Sequence, residues 1–269
     1  MSTPAHALSR PDGYVRANLI TSTLVFFGEI AALTSGAVGF LFRGRVSVRN
    51  VLLQMSAIGV GSLPIVIAIT FSTGAVVAYY TASVFVRFGA EQFVGGTLTY
   101  SFLNELGPVL AGVAVAARSG AAIAAEIGSM VVTEQVDALR AMAVSPTRYL
   151  VAPRLIACVL MMPVLGVFGD LAGVLGSYLM SGVHGVPHQI FIESSRQFSS
   201  TTDLLNGLVK TLWFGFTISM ISCRQGLRTK GGATGVGQST TSSVVLCVVL
   251  IFVSDFFLAQ LLQGGKLGR

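Results

Sequence analysis

Charge is scarce in this sequence. Only 10% of its 269 residues are Asp, Glu, Lys or Arg, against about 25% in an average soluble domain. A chain of this size with a water-facing surface needs more. Apolar residues make up 53% of the chain and the mean hydropathy is +0.78. The solvent for much of the surface is therefore hydrocarbon.

Cysteine is equally sparse. Cys158, Cys223 and Cys247 are odd in number, lack Cys-x-x-Cys spacing and sit in or beside apolar runs. That argues against a disulfide framework and a metal site. Catalytic signatures are missing too. There is no Gly-x-Ser-x-Gly and no nucleophile–base constellation, and the i,i+4 spacing of His184 and His188 is interrupted by Pro187. Gly232-Ala-Thr-Gly-Val-Gly237-Gln238-Ser239 comes close to a Walker A loop but has Gln238 where the phosphate-binding Lys belongs. It reads as a Gly-rich turn. The net charge of +6 is spread between apolar stretches, with no aromatic-interleaved basic patch, which argues against nucleic acid. We expect no catalytic residue, metal or cofactor in this chain.

What is present is a series of long apolar runs. Spans are expected at 54–86, 92–117, 155–180, 204–222 and 243–262, most of them near the roughly 20 residues needed to cross about 30 Å of hydrocarbon. Barrel strands would alternate in polarity over about 10 residues. These runs are continuously apolar, so the expected fold is an all-α polytopic membrane protein. Gly169, Gly173 and Ser177 recur at four-residue spacing, which permits close helix packing.

Residues 1–18 read as a poorly ordered polar tail. Thr21–Phe42 holds Glu29 near its middle and is read as a helix in the membrane interface, with a full span as the alternative. Residues 19–49 then form an interfacial helix and loop, and 50–269 the transmembrane domain. With the N-terminus in the cytoplasm, only Arg87, Arg196, Lys210, Lys266 and Arg269 of the 17 Lys and Arg fall outside, a positive-inside bias.

The largest inner piece is Arg118–Pro153. Within it, Thr133 is expected to N-cap a short helix over 133–145, with Glu134 in the first turn, where negative charge suits the helix dipole. Val136, Leu139 and Ala143 share one face, Glu134, Asp137 and Arg140 lie beside it, and Pro146 ends it. Such a helix is either a solvated connector or a docking lever for a soluble partner.

Glu105, Asp170 and Asp255 lie inside apolar runs, where charge is expensive. They are either paired carboxyls that tie helices together or parts of a proton relay. Asn104 and Pro108 beside Glu105 would open the helix locally. A relay would make the chain a proton-coupled secondary transporter. A non-transporting scaffold is a further possibility.

Four segments together resemble the signature of the MlaE/YrbE permeases. They are Glu105-Leu-Gly-Pro-Val-Leu-Ala-Gly112, Ala125-Glu-Ile-Gly-Ser-Met130, Thr133-Glu-Gln-Val-Asp-Ala-Leu139 and Pro146-Thr-Arg-Tyr-Leu-Val-Ala-Pro-Arg154. The Lys230-Gly-Gly-x-x-Gly-Val-Gly237 pattern fits as well. The similarity runs from about residue 50 to the C-terminus. It implies the membrane subunit of an ABC lipid transporter in a bacterial inner membrane or a plastid envelope. It further implies a permease homodimer, two cytoplasmic ATPase subunits that bind ATP and Mg, and an MCE-domain partner on the outer side. Thr133, Glu134, Gln135, Asp137, Leu139 and Arg140 would then form the ATPase-coupling helix. Lipid would enter a cavity at the dimer centre, and Phe71 and Tyr79 are placed near it by position.

Overall fold

The computed structural model describes residues 19–42 and 47–263. The expected tail, 1–18, lies outside them. All regular structure among the described residues is helical, and five stretches are long and apolar enough to cross a membrane. They are Val48–Arg87, Glu91–Val132, Thr147–Val183, Thr201–Leu227 and Gly232–Leu262.

The first stretch combines α2 (Val48–Met55) and α3 (Gly61–Arg87), joined by a π-helical segment, Ser56–Val60. In the second, α4 (Val94–Ser101), α5 (Gly107–Val115) and α6 (Ala121–Val132) are linked by π segments Phe102–Leu106 and Ala116–Gly120. The third and fourth are mainly α8 (Ala152–Val183) and α10 (Thr201–Leu227), and the fifth is α11 (Gly232–Gln263). Outside these lie α1 (Leu19–Phe42), α7 (Gln135–Ala141) and α9 (His188–Phe198).

One end of the bundle carries Arg49, Arg118, Arg140, Arg148, Arg154, Arg224, Arg228 and Lys230. The other end carries Arg87 and Arg196. The ends are called the arginine-rich and arginine-poor sides below.

α8 is the central element, in contact with α3, α5 and α10. Met162 and Leu165 fill the core in its first half, and from Gly166 onward its buried face is mostly small: Gly166, Gly169, Gly173, Gly176 and Ser177. Its other face exposes Leu160, Val164, Phe168, Leu171, Leu175 and Leu179. Bulk points away from the bundle because lipid is as apolar as leucine, so association gains from close backbone approach. A Cβ on Gly74 would run into the Gly173 carbonyl, and one on Gly176 into the Phe71 carbonyl. The Ser177 hydroxyl donates to Gly74 O at 3.1 Å and Gly173 O at 2.9 Å. The four-residue stripe therefore packs as its spacing indicated.

On the arginine-poor side, Ser200 and Asp203 form a reciprocal capping box that starts α10. There α9 lies against α4. The Gly96 amide, in the first turn of α4, donates to Ser194 Oγ at 2.9 Å, so a neighbouring helix satisfies an orphan donor.

Arg118 ties two π segments together. Its Nη1 donates to Ala57 O at 3.1 Å and to Ser62 Oγ at 3.3 Å, while Ser62 and Ser119 hydroxyls lie 2.9 Å apart. Replacing Arg118 by alanine is expected to cost about 1 kcal/mol, since the guanidinium is exposed. Hydrogen exchange of the 56–62 amides should rise in that variant. Unchanged exchange there would show that the bridge holds nothing.

Three expectations are corrected. The inner loop does not begin at Arg118, because the helix runs on to Val132. Ile123, Ala124, Ile127 and Gly128 are buried, with α10 and α11 packed against α6, and that burial keeps the chain helical. The Gly-rich segment after Lys230 is no turn between spans. Only Gly231 and Gly232 have positive φ, at 87° and 69°, and α11 starts at Gly232. Lys210, counted as an outer-loop charge, is fully buried. Its removal from the outer tally strengthens the positive-charge asymmetry between the two sides.

Candidate functional site

The second span opens at Phe102–Leu106 because Pro108 has no N–H to offer the carbonyl four residues back, that of Asn104. Lys210, from the first half of α10, supplies the missing donor: its Nζ lies 2.9 Å from Asn104 O. The same Nζ is 2.6 Å from Glu105 Oε2 and 3.0 Å from Asp255 Oδ1 on α11. The Asp255 contact is an ion pair without hydrogen-bond alignment. Three helices are thus joined by one ammonium and two carboxylates. An isolated ammonium at this depth would cost several kcal/mol, and two counter-charges offset that penalty.

Asp170 stands apart from this cluster. It is buried on α8 with Oδ1 lacking a hydrogen-bond partner among the described residues. Gly107 makes the room: a Cβ there would fall on that oxygen. So the structure joins Glu105 to Asp255 through Lys210 and seats Asp170 against the turn after Glu105. The local opening beside Asn104 and Pro108 is where the sequence placed it. Lys210 was missed because it lies near the start of its apolar run, where a basic boundary residue is ordinary. The available signal was three intramembrane acids with no cation assigned to them.

The second feature is α7. It spans Gln135–Ala141, shorter than the expected 133–145. Thr133 does not cap it. Thr133 closes α6 instead, its hydroxyl donating to Ser129 O at 2.8 Å. Glu134 occupies the N-cap position in the left-handed region at φ 59°, and Ala143, at φ 58°, lies beyond the helix. Val136 is buried and Leu139 half-buried, so this face anchors α7. Glu134, Gln135, Asp137 and Arg140 are exposed, with Arg140 Nη1 2.7 Å from Asp137 Oδ1. Exposure makes this ion pair worth little to stability. Beside α7 a cleft of about 550 Å³ reaches inward to the ion pair of Arg154 Nη2 with Glu126 Oε2, at 2.8 Å.

Phe71 is half-buried on the α3 face that meets Gly176. Tyr79 is exposed near the arginine-poor end of α3, edge-on to Tyr80 and His184. Neither belongs to the charge cluster.

The described residues thus form a five-span helical membrane bundle with a charge cluster inside and a short exposed helix at one end. Residues 51–261 match the family described as Permease MlaE. A probable ABC transporter permease protein of Rickettsia typhi is 41% identical over 252 residues, covering 91% of this chain and 97% of that protein. One from Synechocystis is 42% identical over 236 residues, covering 87% of this chain and 89% of its own. The chloroplastic protein TRIGALACTOSYLDIACYLGLYCEROL 1 of Arabidopsis thaliana is 37% identical over 226 residues, 84% of this chain and 65% of the plant protein. The chain belongs to the MlaE permease family.

Proposed function

We propose that this chain is the membrane subunit of an ABC transporter that moves lipid, phospholipid being the first choice, with ATP and Mg bound by a separate subunit docked on α7. The observation that carries this reading is α7 itself: a short helix fixed by Val136, with its charged residues turned outward. Its position at the tip of the stretch Glu91–Val132 suits a lever. The same stretch holds Glu105, so a push on α7 would run along it toward the charge cluster, through the one π segment between them, Ala116–Gly120. Relatives named as ABC transporter permeases support the ATPase partner. A relative named for a galactolipid supports a lipid cargo.

In this reading the arginine-rich side faces the cytoplasm of a bacterial inner membrane, α1 lies along that interface, two copies form the lipid path, and an MCE-domain protein receives or delivers lipid opposite. Glu29 in the middle of α1 bonds to Arg224 and Arg228 at the arginine-rich end of α10, which supports an interfacial position for α1.

The test is co-purification. Replacing Glu134, Asp137 and Arg140 together by alanine should release the ATPase while leaving thermal unfolding of the permease near wild type, because these side chains are exposed. An ATPase that stays bound to the triple variant would remove α7 as the coupling element. Transport in vesicles that follows a pH gradient, without ATP or a partner, would replace this reading by the proton-coupled one.

A further inference from the structure

We infer that the arginine-rich end of α10 forms a binding site for an anionic phospholipid headgroup. A cleft of about 360 Å³ opens there between α1, the start of the third span and α10. Leu33 and Leu227 supply an apolar wall, and Thr147, Glu29, Arg224 and Arg228 supply the polar lining.

The charges do not balance. Glu29 Oε2 accepts from Arg224 Nε at 2.8 Å, pairs with Arg224 Nη2 at 2.7 Å and pairs with Arg228 Nη1 at 3.1 Å. One carboxylate thus serves two guanidiniums and leaves an excess positive charge. Arg224 is consumed by these bonds. Its side chain is only 7% exposed, its Nη1 reaches Gln225 Oε1 at 3.3 Å, and the Phe26 ring lies 4.4 Å from its Cζ. Arg228 is not. Its side chain is 54% exposed and makes one hydrogen bond, through Nη1, among the described residues.

A guanidinium has five N–H donors in a planar fork, which matches a phosphodiester bidentately. A net-positive recess with an apolar wall at the end of a membrane span suits a headgroup above an acyl chain. On the cytoplasmic side such recesses meet anionic lipid. The placement rests on the proposed orientation. Binding in detergent does not depend on which side faces the cytoplasm, so the two fail separately.

The experiment titrates the full chain in mild detergent with dioleoylphosphatidylglycerol, dioleoylphosphatidylcholine or inorganic phosphate, read by native mass spectrometry and thermal shift. Phosphatidylglycerol should bind and raise the unfolding temperature. The choline lipid, with the same phosphate and chains but a compensating cation, should bind at least tenfold more weakly. Arg228→Gln should lower phosphatidylglycerol affinity roughly tenfold, the worth of one charge-assisted contact, and Arg228→Lys should keep part of it. Because Arg228 is half exposed, both variants should fold. Equal binding of the two lipids, or an Arg228→Gln variant that binds phosphatidylglycerol like wild type, would overturn the site. Inorganic phosphate as effective as the lipid would show a free-anion site and overturn the lipid assignment.

Discussion

Replacing Lys210 by methionine is expected to lower stability by about 3 kcal/mol, seen as a large drop in the thermal unfolding temperature in detergent. Removing one member of a buried ion pair leaves the other charge unpaired, at a cost of about 3–5 kcal/mol. Lys210 is 0% exposed and serves Glu105, Asp255 and the Asn104 carbonyl together. The lower end of the range applies because the Glu105 side chain is 37% exposed and stays partly solvated. The sharper test is rescue. Glu105→Gln and Asp255→Asn added to the methionine variant remove the stranded charges and should recover most of the loss. Glu105→Gln alone should be mild, since Asp255 still pairs with Lys210. A methionine variant as stable as wild type would mean that the cluster does not hold the three helices together.

The second large effect is expected at Gly74. A leucine there meets the Gly173 backbone, which has no side-chain rotamer to yield. Overpacking costs about 1–3 kcal/mol where neighbours can shift, and the upper end or loss of folding is expected where backbone opposes backbone. Gly28, inside α1 with nothing within 4 Å of an added Cβ, is the control, and leucine there should not destabilise and should gain about 0.5–1 kcal/mol of helix propensity. Unfolding of both variants in the same detergent decides the matter. If Gly74→Leu matched Gly28→Leu, the close approach of α3 and α8 would be wrong.

Much of the fold was legible in local composition. The five apolar runs appear as five crossing stretches, each longer than expected. The extension of the second span has a clear cause. Apolar content marks where lipid covers a helix, but a helix continues wherever protein covers it, as α10 and α11 do for α6. The misread caps have another. Thr133 is a good N-cap residue, yet its hydroxyl bonds back to Ser129, and the chain turns at Glu134 instead. Both outcomes use the same short polar side chain, and propensity alone does not choose between them.

The sequence by itself indicated a helical bundle in lipid, a spacing at Gly169, Gly173 and Ser177 that permits close packing, and basic residues concentrated on one side. These follow from transfer free energy and side-chain size, which each residue carries wherever the chain goes. Only the tertiary structure decided that Lys210 is a buried partner rather than a boundary charge, that Glu105 and Asp255 share it while Asp170 does not, and that Glu29 meets Arg224 and Arg228. Each of those pairs joins segments far apart in sequence. An ion pair depends on a distance of a few ångströms, and that distance exists only once the helices have packed.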